Sequence, residues 1–143
     1  MKNVIKFTVF GEAVSRKNKM GINKYTKKPY MYKAKDSSTW EESVTGQAIK
    51  HRPVKLITGA VKLGATFYRK IPKSMSKKKR AMAISGELRP TSKPDVDNLL
   101  KSFKDSLTGL VWCDDALIVE YKAGTGKWYA ETPRVDVVIE YDE

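Results

Sequence analysis

The residues best able to carry chemistry fall in two neighbouring stretches, "KPDVDNLLKSFKDSL" (93–107) and "VWCDDALIVEY" (111–121). Asp95 and Asp97 flank one valine at an expected helix start, Lys101 follows Asp97 by four residues, and Asp114 and Asp115 precede an expected strand. Carboxylates that gather at one place repel one another unless a cation lies between them. Their hard oxygens suit Mg²⁺, with Mn²⁺ as a substitute; both ions keep several waters and accept phosphate oxygens. Such a centre activates water and steadies charge on a scissile phosphate. Lys101 would stabilise charge developing on a leaving oxygen. A plainer reading has Asp95 and Asp97 as helix-capping acids, Lys101 as an i,i+4 partner of Asp97, and the Asp114–Asp115 pair as a solvated turn. Asp115 meets Asp97 only under a particular tertiary geometry, so both readings stand at this level.

Other chemistries are poorly supplied. His51 is the lone histidine and Cys113 the lone cysteine. This argues against a histidine-metal nuclease, a Ser-His-Asp triad, a cysteine zinc site and an internal disulfide. Cys113, with no histidine near it in sequence, is expected to be a small buried residue rather than a nucleophile.

The elements that must position the acids follow from periodicity. In "DVDNLLKSFKDSL", Val96, Leu100, Phe103 and Leu107 share one side of a helical wheel and should face the core. Asp97, Lys101 and Lys104 share a neighbouring edge. Asp95 joins Asp97 only if it lies before the first turn in extended geometry. The helix is expected from about Asp95 to Thr108, ending at Gly109. Residues 2–9 alternate as a strand, with Val4, Phe7 and Phe10 as inward candidates. "GEAVSRKNKMGINKYTKKPYMYKAK" has no helical period and reads as a long basic loop or loose hairpin. Asp36 or Ser37 can cap a helix carrying Trp40, Val44, Ala48 and Ile49 as its apolar stripe. Val61, Leu63, Ala65 and Phe67 mark one face of a strand. A short basic helix is expected to open at Pro72. The strands "ALIVEYKAGTGKWYAE", bulged or bent at "AGTG", and "RVDVVIEY" close the chain. The 143 residues suit one compact domain (1–143), of α+β class, with helices packed on a small mixed sheet.

Charge points to the partner. The net charge is +12, but residues 1–94 carry 23 Lys/Arg against 5 Asp/Glu, whereas residues 95–143 carry 5 against 11. A basic surface facing an acidic centre fits a polyanion, because phosphates attract Lys and Arg and counterion release drives association. Two segments concentrate the cations: residues 15–35, with Arg16, Lys17, Lys19, Lys27 and Lys28, and residues 69–80, with Lys77, Lys78, Lys79 and Arg80. These side chains are the candidate DNA-phosphate contacts. Tyr25, Tyr30 and Tyr32 interleave the first segment and either stack on unpaired bases or pack within the protein. No apolar run is long enough to span a membrane, and "MKNVIKFTVF" lacks a signal peptide's apolar block. The expected setting is the cytoplasm.

At "DVDNLLK" and "WCDDALIVE" the sequence resembles the RusA family of Holliday junction resolvases, crossover-junction endodeoxyribonucleases common in prophages. The family pattern is Asp-x-Asp-Asn at a helix start, a Lys four residues after the second Asp, and Asp-Asp at the next strand. The turn "GEAVSRKNK" lacks the proline that family members often carry there. The resemblance implies a Mg²⁺-dependent, homodimeric hydrolase that cuts four-way DNA junctions by paired symmetric nicks in recombination and repair. It makes Asp95, Asp97 and Asp115 the metal-binding catalytic acids, Lys101 the essential lysine, and Asp114 an auxiliary acid. The competing readings are a non-catalytic basic DNA-binding protein and a flap or fork nuclease.

Overall fold

A computed structural model describes residues 2–142; Met1 and Glu143, the ends of the expected 1–143 domain, lie outside the described residues. The elements are β1 (Asn3–Phe10), β2 (Asn18–Ile22), β3 (Pro29–Lys33), α1 (Lys35–Ala48), β4 (Val61–Lys70), α2 (Lys77–Ser85), α3 (Val96–Leu107), β5 (Ile118–Tyr121), β6 (Gly126–Ala130) and β7 (Arg134–Tyr141). This is the expected α+β arrangement.

The main sheet is mixed. β1 pairs antiparallel with β7, β7 antiparallel with β4, and β4 parallel with both β5 and β6. Val61 faces Ile118 near the start of β4, and Phe67 faces Lys127 near its end. β5 and β6 are therefore one edge strand interrupted at "AGTG", the bend read from those glycines. The basic segment after β1 is a hairpin, β2–β3, forming a separate two-stranded sheet.

α1 and α3 pack together and supply the core with the sheet. Val61, Leu63, Ala65 and Phe67 are all fully buried, as their alternation required. Phe67 meets Phe103 edge-on at 5.8 Å between centroids. Leu99 joins Leu100, Phe103 and Leu107 on the buried face of α3, while Val96, at its first turn, is only partly buried. Each such fully buried side chain stabilises the fold by about 1.5–3 kcal/mol.

Several local expectations are corrected. In β1 the inward residues are Phe7 and Val9, with Ile5 packed against the core, whereas Val4 and Phe10 are exposed. Val4 and Phe10 share their face with Lys6 and Thr8, whereas Ile5, Phe7 and Val9 alternate without a polar interruption, and it is that face that turns inward. α1 starts at Lys35 with Ala34 as N-cap, so neither Asp36 nor Ser37 caps it. Ser37 is instead fully buried and ties two chain segments together. Trp40, Val44 and Ala48 form the expected stripe, but Ile49 is exposed. α2 starts at Lys77, capped by Ser76, whose side chain accepts from the Lys79 N–H; Pro72 lies outside it. Cys113 is exposed, because its position follows the buried Trp112 at the turn into the edge strand.

Candidate active site

α3 begins where the sequence required. Asp95 is its N-cap, extended at φ −79° and ψ 165°, with its side chain accepting from the Asn98 N–H at 2.8 Å. The carboxylate thus satisfies one orphan donor of the first turn and sits against the positive end of the helix dipole. Asp97 and Lys101 are exposed one turn apart, and neither forms an ion pair with the other among the described residues. Lys104 is otherwise engaged: its ammonium donates to the Tyr121 hydroxyl at 2.8 Å and lies near that ring.

A cleft of about 500 Å³ opens beside Asp95, lined by Lys17, Arg69, Lys93, Pro94 and Asn98 among others. It places three cations around the candidate catalytic end of α3. Neither Lys93 nor Arg69 is among the named candidates from the sequence, although Lys93 adjoins the motif and Arg69, at the end of β4, opens the basic segment 69–80; Arg69 pairs with Glu12 and donates to the Ala13 carbonyl. Lys127 is a further unforeseen member. Its ammonium donates to the carbonyls of Ser92 at 2.8 Å and Pro94 at 3.0 Å, holding the backbone that enters α3.

The second acidic pair lies elsewhere. Gly109, at φ +87°, ends α3 in the left-handed region that favours glycine. The chain then folds back on the helix end: the Gly109 N–H donates to the Trp112 carbonyl at 2.7 Å, and the Trp112 indole donates to the Thr108 hydroxyl at 3.0 Å. Asp114 follows directly and caps a 3-10 turn, Asp115–Leu117, accepting from the Ala116 N–H at 2.9 Å. Asp115 is exposed. β5 starts here, at the same end of the sheet as the start of β4. The two acidic pairs therefore stand at opposite ends of α3, a 12-residue helix about 18 Å long.

The geometry that would bring Asp115 to Asp97, left open by the sequence, does not occur within a single chain. No group of three His, Cys, Asp or Glu side chains close enough to hold a metal ion occurs among the described residues. The donor chemistry suits a hard divalent cation; the spacing inside one chain does not.

The basic candidates divide into engaged and free. Arg16 pairs with Asp105 at 3.3 Å, Lys17 with Asp36 at 3.8 Å, and Arg80 with Glu131 at 3.6 Å. Lys19 is exposed on β2, Lys27 and Lys28 in the hairpin turn, and Lys77, Lys78 and Lys79 in the first turn of α2. His51 stacks on Phe7 at 5.0 Å.

A capped helix N-terminus carrying Asp-x-Asp, with Asp95 bordering a cleft lined by cations, supplies the donor types that phosphodiester chemistry uses. The model of the family Endodeoxyribonuclease RusA matches residues 11–140, and the chain belongs to that family of endodeoxyribonucleases. It is also 43% identical over 137 residues, 94% of each chain, to the uncharacterized protein YqaN of Bacillus subtilis (strain 168).

Proposed function

We propose that this endodeoxyribonuclease is a metal-dependent, homodimeric resolvase that cuts four-way DNA junctions by paired symmetric nicks. The cation is Mg²⁺, with Mn²⁺ able to replace it. The observation that carries the reading is the Asp95–Asp97 pair at the open start of α3, beside a cleft lined by Lys17, Arg69 and Lys93. The separation of the acids supports the dimer. Two α3 helices related by a two-fold axis and running antiparallel bring Asp95 and Asp97 of one protomer toward the partner's Asp114 and Asp115. A C2 pair built this way has two equal centres, which suits two symmetric cuts.

A bound divalent ion supplies an activated water and neutralises charge on the scissile phosphate. The chain's own contribution is positional. Asp95 is fixed by its cap bond, and Lys127 fixes the backbone before it. Lys101 stands one turn along from Asp97, exposed and uncommitted, so its ammonium is available to the leaving oxygen. Lys17 and Lys93 hold the phosphates on either side of the cut, while Arg69, paired with Glu12 and donating to the Ala13 carbonyl, shapes the wall of the cleft. Lys77, Lys78 and Lys79 extend the phosphate track. Such a protein works in the cytoplasm, on DNA; no helix among the described residues is long and apolar enough to cross a membrane.

The test is cleavage of a labelled immobile four-way junction with Mg²⁺ and with EDTA, wild type beside Asp97→Asn. Symmetric nicks that require both the metal and Asp97 support the reading. Junction binding without cleavage in any metal would make the acids caps and turn residues of a DNA-binding protein, and preferred cutting of flaps or forks would change the substrate.

A further inference from the structure

The hairpin β2–β3 has an unusual construction. Its base is fastened firmly. The Ala34 N–H donates to the Lys17 carbonyl at 2.7 Å, and Ser37 accepts from the Lys17 N–H at 2.8 Å while donating to the Ser15 carbonyl at 3.1 Å. Lys33 pairs with Glu41 on α1. Beyond this base the two strands pack on each other and only glancingly on the rest of the protein. A bare two-stranded hairpin of this kind is marginal in water by itself. Its tip is shaped by Asn23, whose side chain accepts from the Tyr25 N–H at 2.8 Å and the Thr26 N–H at 3.0 Å.

The register sorts its side chains. Lys19 faces Tyr32 and Gly21 faces Tyr30, so the two tyrosines share one side with Lys19. Their rings lie 5.9 Å apart. A Cβ on Gly21 would stand 2.6 Å from the Tyr30 ring, so that ring occupies the space a side chain would take. Tyr30 remains 51% exposed, Tyr32 45% and Tyr25, at the tip, 93%. None of the three lies in the core; Tyr30 and Tyr32 pack within the hairpin, on Gly21 and on each other, and still leave about half of each side chain open. Residues 15–35 contain eight Lys/Arg and no Asp or Glu. Three open aromatic faces on an arm bearing only positive charge match a ligand with anionic phosphates and flat apolar rings. The base of the arm, at Ser15 and Lys17, borders the cleft that holds Asp95.

We propose that the β2–β3 hairpin is an arm that captures unpaired bases at the branch point of the DNA, with Tyr25, Tyr30 and Tyr32 as stacking surfaces and Lys19, Lys27 and Lys28 on the flanking phosphates. The proposal rests on the resolvase reading and adds to it the feature that distinguishes a branch point from continuous duplex. Stacking uses the face that every base presents, so the arm reads branching rather than sequence. A second copy of the same arm is a poor occupant, because the two would bring like charge together.

The test measures binding in EDTA to an immobile four-way junction with 2-aminopurine at the branch point, and to a linear duplex of the same length. The variants are Tyr25→Ala and Tyr32→Ala, each beside its Tyr→Phe counterpart. Stacking predicts that each alanine variant loses roughly 5- to 100-fold in junction affinity, with little loss on duplex. It also predicts that the phenylalanine variants keep wild-type affinity, that the salt dependence is unchanged, and that the 2-aminopurine emission change on binding shrinks with alanine only. Tyr25 is almost wholly exposed, so its replacement leaves the fold intact even if Tyr32→Ala loosens the hairpin. Equal junction affinity and emission in all variants, while wild type still prefers and cuts junctions, overturns the arm and leaves the resolvase reading standing. Loss of dimer in the alanine variants, measured by sedimentation, overturns it in favour of a protein partner. A wild type that neither prefers nor cuts junctions removes both readings.

Discussion

Two inactive variants of this protein are expected to rescue one another. The perturbations are Asp97→Asn and Asp115→Asn, each removing one carboxylate from one end of α3. Ligand oxygens on one Mg²⁺ lie about 2.1 Å from it, so two of them are separated by only about 3–4 Å. The ends of α3 are about 18 Å apart, so a centre using both acids needs two chains. In a dimer of that kind, a mixed pair has one centre with both substitutions and one with neither. Random assortment of equal amounts makes half the dimers mixed, so about a quarter of all centres are wild type. The assay uses a supercoiled plasmid bearing a cruciform, cut by each variant alone and by a co-refolded mixture. Nicking should return to about a quarter of the wild-type rate. Linear product should stay near zero, because a mixed dimer makes one cut and the cruciform is lost once the circle relaxes. No recovery of nicking, in mixtures shown to contain mixed dimers, would refute the reasoning: the acids would then act within one chain or not at all.

Four further outcomes are expected. Asp95→Asn should abolish cleavage while leaving thermal stability near wild type, because asparagine caps as well as aspartate, whereas Asp95→Ala should also cost about 1 kcal/mol in denaturant unfolding. Lys101→Ala should strongly reduce single-turnover cleavage and change stability by less than about 0.5 kcal/mol, since the side chain is exposed and unpaired; full activity would remove its catalytic role. Replacing Lys77, Lys78 and Lys79 by alanine should weaken DNA binding and lower the slope of log affinity against log salt by up to about 2–3, and an unchanged slope would put that turn of α2 off the DNA path. Lys127→Met should release the Ser92–Pro94 carbonyls and slow cleavage more than it weakens junction binding; equal effects on both would give Lys127 a role in binding instead.

Much of the site's local structure was legible in the sequence, because it depends on neighbours in the chain. The start of α3 follows from Asp95 and its short-range bond to Asn98, and its end from Gly109. The buried face of β4 follows from a strict alternation with no competing register. The imbalance of charge is a property of composition alone, and so is the supply of hard oxygen donors. The motif joining Asp95, Asp97, Lys101 and the Asp114–Asp115 pair carried the family, which the match over residues 11–140 shows. Tertiary structure decided what depends on distant partners. The seat of β1 at the edge of the main sheet, paired with β7 from the far end of the chain, is one such case. Arg69 and Lys127 reached the motif only because the end of β4 and the start of β6 lie beside the start of α3. The basic segment became an arm, and its tyrosines open surfaces, because Ser37 fastens its base while nothing covers its blades. The largest decision was the place of the second acidic pair. Asp114 stands nineteen positions after Asp95 in the sequence. A helix between parallel strands must deliver the chain to the start of the next strand, so α3 carries the two pairs apart by its own length.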